Sequence, residues 1–341
     1  MIFLFLGIIL ILSIIVFVYF FVGSAKEQEN IVWGVDFSQM QAENLKLDWK
    51  KTYLAMLDDL GVKNIKLHTQ WDWAEGSSPS DDGKNNYYFS DIDWQISQAK
   101  QRGAKIIYVV GMKTGRWPEC HIPDWANNLP KQQQQEGLLE YIKDVVLRYK
   151  DDNTIVAWQV ENEPFFVFGE CPDWYYSDKN FLKQEVNLVK SIDPSRQVIV
   201  SDSGEQSMWF SAAKIGDIVG ITMYREVWFH VINGIGFNLD YFLPPVAYSR
   251  KAQLIKKIFG KDVICIELQA EPWAAEPFTK ISLKEQEKTM NLDRFKKNVE
   301  YAKQTGMGAF YFWGGEWWYW LKTTQNKPEI WNEAQKLFSQ N

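Results

Sequence analysis

Short β-rich runs alternate with amphipathic helical stretches along most of this chain, and this alternation constrains the fold more than any other feature. Eight runs are rich in β-branched and aromatic residues: Val32–Phe37, Asn64–His68, Lys105–Gly111, Thr154–Val160, Gln197–Ser201, Asp217–Met223, Asp262–Leu268 and Ala309–Trp313. The spacing of apolar residues predicts helices at Trp49–Leu60, Ile92–Arg102, Gln132–Tyr149, Lys179–Ile192, Gln206–Ile215, Ala247–Phe259, Asn291–Gln304 and Glu329–Phe338. Eight successive βα units predict an α/β fold whose parallel sheet closes into a (β/α)8 barrel.

An open parallel sheet is the structural alternative to a barrel. Such a sheet usually carries a glycine-rich first turn, and the sequence GVDFS at 34–38 is not one. The loops that follow predicted strands two, three, four, six and seven are long and aromatic, whereas the loops that enter the strands are short. Barrel enzymes build their sites from the loops at the C-terminal ends of the strands. The asymmetry therefore places a functional site at that end of the barrel.

A separate apolar segment precedes the predicted barrel. Residues Ile2–Val22 carry no ionised side chain, and as a helix they reach about 31 Å, which matches a hydrocarbon core of about 30 Å. We therefore expect a single transmembrane signal-anchor helix at residues 1–23, a polar linker at 24–30 and a catalytic barrel at 31–341. Cleavage as a signal peptide near residues 23–25 is the alternative. The first outcome holds an extracellular catalytic domain at the cell membrane, and the second secretes it.

Composition narrows the choice of partner. The formal net charge is −6, and basic residues form nothing longer than short pairs such as Lys50-Lys51. Because nucleic acid binding needs a clustered positive face, we expect no nucleic acid partner. Seventeen Trp, 15 Tyr and 21 Phe make up 16% of the chain. Many of these rings belong in a large core, but flat rings also suit the apolar faces of pyranose sugars.

Three cysteines and three histidines are present, and no spacing among them resembles a zinc site. Cys265 lies in an apolar run and is predicted to be a small buried side chain. Cys120 and Cys171 lie in Pro-containing loops after the third and fourth predicted strands. Adjacent strands of a parallel barrel bring these loops side by side, so in an exported protein we expect a disulfide between the two residues. Two free thiols are the alternative.

Two glutamates stand at the predicted C-terminal ends of strands. The fourth strand ends in the sequence AWQVENEP at 157–164, and the seventh ends in CIELQ at 265–269. A carboxylate at the end of an apolar strand costs free energy unless it finds partners. Glycoside cleavage needs two carboxyl groups on opposite sides of the anomeric carbon, one to protonate the leaving oxygen and one to attack. Glu163 and Glu267 are therefore the candidate catalytic pair.

The Asn-Glu-Pro ending of the fourth strand, with Trp158 upstream, resembles the acid/base motif of glycoside hydrolase clan A. This clan includes cellulases, mannanases and β-galactosidases built on (β/α)8 barrels. The sequence at 34–38, the end of the second strand followed by Trp71, and Trp313 at the end of the eighth resemble the same clan, over residues 32–320. Lys66 stands where many members carry Arg, and residues 201–203 lack the His that is often found there.

The resemblance implies a role for each matching position. Glu163 would act as the acid/base and Glu267 as the nucleophile of a retaining mechanism. Asn162 would hydrogen-bond the sugar hydroxyl next to the anomeric carbon. Tyr224 would contact the nucleophile, and Trp313 would form the floor of the sugar subsite.

Other residues near the predicted site carry more than one interpretation. Trp71 and Gln269 are further candidates for substrate binding, and so is His121, which loop packing would explain equally well. Glu161 is the alternative acid. Glu271 is interpreted as a sugar-binding or solvated group. The aromatic run at 316–320 is either a sugar platform or a hydrophobic cap on the last helix.

Together these features predict a retaining exo- or endo-β-glycosidase that acts as a monomer on a neutral sugar chain. We expect that it needs no metal and no organic cofactor. A membrane-tethered carbohydrate-binding barrel without turnover is the alternative from another class. A transglycosylase, which passes the sugar to an acceptor in place of water, is a further one.

Overall fold

The computed structural model describes residues 2–28, 30–75, 87–232, 235–274 and 276–339, without the side chains of 2–4, 230–232 and 235. Within these residues the strands are β1 Val32–Phe37, β2 Asn64–His68, β3 Lys105–Val110, β4 Ile155–Val160, β5 Gln197–Asp202, β6 Ile218–Met223, β7 Glu226–Ile232, β8 Ile235–Asp240, β9 Val263–Gln269 and β10 Ala309–Trp313. The helices are α1 Ile2–Phe21, α2 Gln39–Asn44, α3 Trp49–Asp58, α4 Trp71–Ala74, α5 Ser90–Gln101, α6 Asp124–Asn127, α7 Lys131–Tyr149, α8 Lys179–Ile192, α9 Phe210–Ile215, α10 Pro245–Phe259, α11 Leu283–Thr289, α12 Leu292–Gln304, α13 Gly315–Thr324 and α14 Glu329–Phe338.

Eight of the strands close into a parallel barrel in the order β1-β2-β3-β4-β5-β6-β9-β10. β10 returns to pair with β1, where Val35 lies opposite Phe312. The eight barrel strands match the eight predicted ones to within a residue at each end. The predicted (β/α)8 barrel is therefore confirmed.

The barrel encloses its own small core, separate from the layer between strands and helices. Ile107, Ala157, Ile199, Ile266 and Tyr311 pack together as this inner cluster. Successive side chains of a strand face opposite sides, so the residues next to them, such as Ile106 and Trp158, join the larger outer core. Both layers are apolar, which explains why the strand sequences are nearly continuous hydrophobic runs.

Gly34 on β1 leaves room for the ring of Tyr311 in the inner core. A Cβ atom at position 34 would lie 2.5 Å from a carbon of that ring. Real Cβ atoms do not approach other carbons so closely, and the interior is densely packed. The glycine is therefore a packing requirement of the barrel.

The hairpin β7–β8 is an element that the sequence analysis did not predict. It forms an antiparallel pair between the sixth and seventh barrel strands, with Phe229 opposite Phe237. The signal was present in the sequence, because Asn233-Gly234, which lies outside the described residues, is a dipeptide typical of tight hairpins. The hairpin extends the C-terminal face of the barrel above β6 and β9.

The aromatic run at 316–320 lies in α13, which was also not predicted. Trp317 is 1% exposed and Trp318 is fully buried. The indole of Trp317 donates to Gln286 Oε1 at 2.8 Å, and that of Trp318 donates to the carbonyl of Ala270 at 2.8 Å. These two rings fill the core beside the last barrel strand, so the sugar-platform interpretation was wrong and the packing interpretation is supported.

The apolar N-terminal segment is helical over Ile2–Phe21. Its C-terminal end packs on the barrel domain, where Phe21 stacks on Phe242 with ring centroids 5.9 Å apart. Among the described residues, no helix is both long enough and apolar enough to cross a membrane. The predicted transmembrane helix is therefore not confirmed.

A disulfide joins Cys120 to Cys171, with their Cα atoms 5.2 Å apart, and Cys265 is free and buried. The predicted bridge is thus present. It ties the loop after β3 to the loop after β4. The same two loops are joined by a backbone hydrogen bond from Glu170 N to the carbonyl of Pro118 at 2.9 Å.

We expect removal of this bridge to lower the free energy of unfolding. The two cysteines are 51 residues apart, and the chain-entropy treatment of such a loop gives an upper value of about 4 kcal/mol. Urea unfolding of Cys120→Ser, Cys171→Ser and the double variant measures the loss. Each single substitution already opens the bridge, so all three variants should lose the same amount. Losses that add up in the double variant would contradict this account.

Candidate active site

The candidate acid Glu163 follows β4 in a strained turn. Glu161 and Glu163 have φ angles of 59° and 44°, in the left-handed region that costs a non-glycine residue about 1–3 kcal/mol. Contacts with neighbouring elements hold the turn. Glu163 N donates to Ser201 Oγ on β5 at 2.8 Å, and Asn162 N donates to the carbonyl of Lys113 at 2.6 Å. The turn directs the side chain of Glu163 into the mouth of the barrel.

A cavity of about 840 Å³ opens at the C-terminal ends of the barrel strands. Five of the predicted site residues line it: Glu163, Glu267, Asn162, Tyr224 and Trp313. They come from the ends of β4, β6, β9 and β10, which are far apart in sequence. The structure therefore brings the candidate catalytic pair and three candidate sugar contacts into one pocket.

Glu267 lies on β9 between two hydrogen-bond donors. Lys66 Nζ donates to Glu267 Oε1 at 2.9 Å, and the hydroxyl of Tyr224 donates to Oε2 at 2.7 Å. Both donors stabilise the negative charge of this carboxylate. The predicted contact between Tyr224 and Glu267 is present.

Lys66 is fully buried and also bonds Asp36 Oδ2 at 2.7 Å. Burial opposes its charge, but the carboxylates of Asp36 and Glu267 outweigh that effect and raise the pKa of Lys66 to about 12. A fully charged ammonium therefore links the ends of β1, β2 and β9. It is fixed in place because both neighbours are acidic.

Glu163 has a different environment from Glu267. Burial, and then the charge of Glu267, raise the pKa of Glu163 to about 8. Lys113 and a hydrogen bond from Thr222 Oγ1, 2.8 Å from Glu163 Oε1, act in the opposite direction without cancelling the shift. The carboxyl group of Glu163 is therefore mostly protonated at neutral pH.

Trp313 shares its face with an arginine. The guanidinium of Arg116 lies 3.8 Å from the centroid of the Trp313 ring. Arg116 is also ion-paired with Glu271, and its Nη2 lies 3.4 Å from Glu316 Oε2. The loop after β3 thus reaches across to the ends of β9 and β10. A sugar that stacks on Trp313 would do so on the part of the ring that Arg116 leaves open.

Three predicted substrate contacts lie outside the pocket. Trp71 is fully buried, and its indole donates to Glu75 Oε2 at 2.9 Å. His121 is fully buried, and its Nε2 lies 3.2 Å from the carbonyl of Arg116 within its own loop. These are corrections: both side chains have packing roles, because neither presents an atom to the pocket.

Gln269 is the third correction. Its Oε1 accepts hydrogen bonds from Arg225 N at 2.8 Å and Glu226 N at 2.9 Å, and its Nε2 donates to the carbonyl of Glu226 at 2.6 Å. All three bonds anchor the base of the β7–β8 hairpin. Gln269 follows Glu267 by two residues on β9, but the hairpin backbone occupies its amide.

The two other glutamates near the site are also occupied. Glu161 is fully buried, where it accepts from Met112 N at 2.8 Å and from Tyr175 OH at 2.7 Å. This placement does not support Glu161 as the acid. Glu271 lines the pocket, but it is paired with Arg116 and only 6% exposed. It is therefore neither solvated nor free to bind sugar through the paired oxygen.

The buried Lys66 and two residues that line the pocket carried weaker signals in the sequence. Lys66 is a charge between Ile65 and Leu67 in an apolar strand, which is a signal for a buried partner. Arg116 and Glu119 lie in an irregular loop, where no periodicity indicates the direction of a side chain. Among the described residues, no cluster of His, Cys, Asp or Glu has the arrangement of a metal site.

The closed barrel, with one carboxyl group at the end of β4 and another on β9, places the protein among the (β/α)8-barrel glycoside hydrolases. Residues 28–241 match the sequence profile of Cellulase (glycosyl hydrolase family 5). The chain belongs to this family, whose members are retaining O-glycosidases.

Curated relatives and solved structures agree with this assignment. The chain is 27% identical over 179 residues to mannan endo-1,4-beta-mannosidase F of Aspergillus clavatus, which covers 49% of this chain and 38% of that protein. The chain thus spans well under half the length of this relative. An endo-beta-1,4-mannanase from Thermotoga petrophila has the same fold, with a TM-score of 0.51, 18% identity and coverage of 84% and 68%. A beta-xylosidase from Caulobacter crescentus also has this fold, with a TM-score of 0.59 and 15% identity. The match covers 86% of this chain and 62% of that protein.

We expect Lys66→Met to destabilise the fold strongly. The substitution leaves the buried carboxylates of Asp36 and Glu267 without their cation, and breaking a buried pair in this way costs about 3–5 kcal/mol. Lys143→Met is the matched control, because Lys143 is 44% exposed and pairs with Glu140 on the surface of α7. Urea unfolding at pH 7 compares the two. Equal stability of both variants would show that Lys66 does not hold the carboxylates together.

Proposed function

We propose that this chain is a retaining β-glycosidase that hydrolyses β-1,4-linked mannan, with Glu163 as acid/base and Glu267 as nucleophile. Membership of glycosyl hydrolase family 5 supports the reaction class. The mannan substrate is supported by the curated relatives, which are named as mannan endo-1,4-beta-mannosidases.

The observation that carries this proposal is the contrast between the two carboxyl groups. The pKa of Glu163 is raised to about 8, whereas Lys66 and Tyr224 donate hydrogen bonds to Glu267. Two carboxyl groups in such different surroundings are suited to different roles. A protonated Glu163 can donate a proton while an ionised Glu267 attacks carbon.

The reaction follows in two steps. Glu163 protonates the glycosidic oxygen as Glu267 attacks the anomeric carbon, so the leaving sugar departs and a covalent glycosyl-enzyme forms. Glu163, now ionised, takes a proton from a water molecule that attacks the same carbon from the opposite side. The bond to Glu267 breaks, the sugar is released with its original configuration, and both carboxyl groups return to their starting states.

The mechanism is tested by substitution and rescue. Glu267→Gln should abolish release of reducing ends from β-mannan. Glu163→Ala should lower activity by about 10²–10⁴, the usual contribution of a general acid. Azide should restore turnover of Glu163→Ala on an activated aryl mannoside and give a β-mannosyl azide. A wild type that binds mannan without product would favour the non-catalytic alternative, and faster cleavage of xylan or cellulose would contradict the mannan assignment.

The pH dependence follows from the raised pKa of Glu163. The group must carry its proton to act as an acid, and a raised pKa keeps the proton bound until the pH approaches about 8. We expect kcat/KM to fall about tenfold per pH unit above that value, since kcat/KM reports the free enzyme. In azide-rescued Glu163→Ala this alkaline decline should disappear. A decline centred near the ordinary carboxyl value of 4.5 would contradict the assignment.

We also propose that the chain is exported and works outside the cytoplasm, held at the cell membrane by its N-terminal segment. The disulfide supports export, because such bonds persist in oxidising compartments. The apolar side chains of α1 from Phe5 to Val18 support a membrane location. Those with large exposed surfaces are 44–64% exposed, and such an apolar surface calls for a lipid or protein cover.

Membrane fractionation tests this location. Full-length protein should sediment with the membrane fraction, and protease added to intact cells should digest the barrel. Mature protein in the medium that begins near Lys26 would instead support the cleaved signal peptide. Recovery of full-length protein in the cytosol with free Cys120 and Cys171 would overturn export altogether.

A further inference from the structure

A third carboxyl group, that of Glu119, faces the same pocket and has no part in the mechanism above. Glu119 is 8% exposed and lines the cavity together with Glu163 and Glu267. Burial raises the pKa of Glu119 to about 7; the charge of Lys113 opposes the shift, and no hydrogen bond contributes. Among the described residues, the carboxyl group of Glu119 has no hydrogen-bond partner. Glu119 lines the open cavity, so a ligand there can supply hydrogen-bond donors to its carboxyl group.

The nearby cations are already engaged. Lys113 Nζ donates to two backbone carbonyls of the loop after β4, at 3.1 Å and 3.0 Å. Arg116 is bound to Glu271 and Glu316, and Lys66 is bound to Asp36 and Glu267. Glu119 is therefore not the second half of an internal ion pair. Its carboxylate is available to a molecule in the cavity.

The backbone holds Glu119 firmly in this position. The next residue, Cys120, is in the disulfide, and Glu119 N donates to the carbonyl of Arg116 at 2.6 Å. On the other side, a Cβ atom on Gly169 would lie 2.5 Å from Cβ of Glu119. The loop after β4 thus packs directly against Glu119. A polar group fixed before the ligand arrives loses little entropy on binding.

An aromatic wall stands beside Glu119, on the loops after β3, β4 and β9. Phe168 lies edge-on to Trp117, with ring centroids 6.1 Å apart, and 5.9 Å from Trp273. All three rings line the cavity, and Trp117 is 60% exposed. Aromatic faces next to a hydrogen-bond acceptor match the two surfaces of a pyranose, its apolar ring face and its hydroxyl edge.

The position of the wall identifies the sugar that it would hold. Phe168 follows the acid Glu163 by five residues in the same loop, and Glu119 is one of the charges that raise the pKa of Glu163. The acid protonates the oxygen of the departing sugar. A sugar held beside Glu163 and this wall is therefore the leaving group.

We propose that Glu119, Trp117, Phe168 and Trp273 form a subsite for the leaving-group sugar, in which the Glu119 carboxylate accepts hydrogen bonds from sugar hydroxyls. This inference rests on the proposed glycosidase function and adds a specificity-determining residue to it. The subsite takes a neutral pyranose. A uronic acid is excluded, because it would meet Glu119 with no uncommitted cation nearby.

Two substrates with the same transferred sugars separate this subsite from the catalytic pair. Mannotriose and 4-nitrophenyl β-mannobioside both leave mannobiose on the enzyme, but the first releases a sugar and the second a nitrophenol without sugar hydroxyls. For Glu119→Gln and Glu119→Ala we expect kcat/KM on mannotriose to fall tenfold or more, mainly through KM, as for a lost hydrogen bond to a charged group. On the aryl substrate the loss should be several-fold smaller, because nitrophenol has no sugar hydroxyls and needs little protonation by Glu163, and the remaining activity shows that the variants fold.

Glu170→Gln is the matched control, because Glu170 is an exposed carboxylate on the same loop as Phe168. It should behave like the wild type on both substrates. Equal losses on both substrates would assign Glu119 to the reacting centre or to folding, and would overturn the subsite. Unchanged kinetics on both substrates would also overturn the subsite. A wild type that cleaves neither substrate would overturn the proposed function and the subsite with it.

Discussion

The buried ammonium of Lys66 is the contact on which the rest of the pocket depends. It lies within 2.9 Å of both the Asp36 and the Glu267 carboxylates and is itself fully buried. Without a cation, two carboxylates would lie close together in a dry place, which is unfavourable. With it, β1, β2 and β9 end in one cluster in which a single ammonium bridges two carboxylates. The charge of Glu267 is in turn one of the causes that raise the pKa of Glu163.

The two lysines of the site contact Glu163 and Glu267 differently. Lys66 has two acidic neighbours and donates a hydrogen bond to the Glu267 carboxylate on β9. Lys113 instead donates its hydrogen bonds to backbone carbonyls of the loop after β4. Lys113 opposes the raised pKa of Glu163 through its charge, but the effect of burial on that pKa is larger. Burial therefore remains the main cause of the raised pKa of Glu163, followed by the charge of Glu267. The backbone geometry of the loops after β3 and β4 thus acts on the chemistry of the acid.

Sequence patterns predicted the repeating strands and helices of the barrel. They failed where the direction of a side chain depends on its immediate neighbours. Strand period, helix period and strand order were sufficient for the barrel, and strand ends located Glu163 and Glu267 in one pocket. Gln269 was predicted to bind substrate, but its amide binds the backbone of a hairpin that the sequence analysis did not predict. Trp71 and His121 were misplaced for a related reason. The sequence does not show whether an aromatic ring that follows a strand faces the pocket or is buried in the core. Arg116 and Glu119 lie in a loop without periodicity, so only coordinates show where they point.

The loop after β3 connects these observations. One end of it is fixed to the loop after β4 by the disulfide, and its middle is fixed to the ends of β9 and β10 by Arg116. Such a loop has two anchors on opposite sides of the barrel mouth, so it cannot swing away without breaking a covalent bond or a buried ion pair. Everything that it carries, including Glu119 and the carbonyl of Lys113 that holds the Asn162 turn, is therefore positioned by the same two anchors. In a barrel whose strands fix only the reacting carboxylates, this loop supplies the rigid frame that positions a substrate around them.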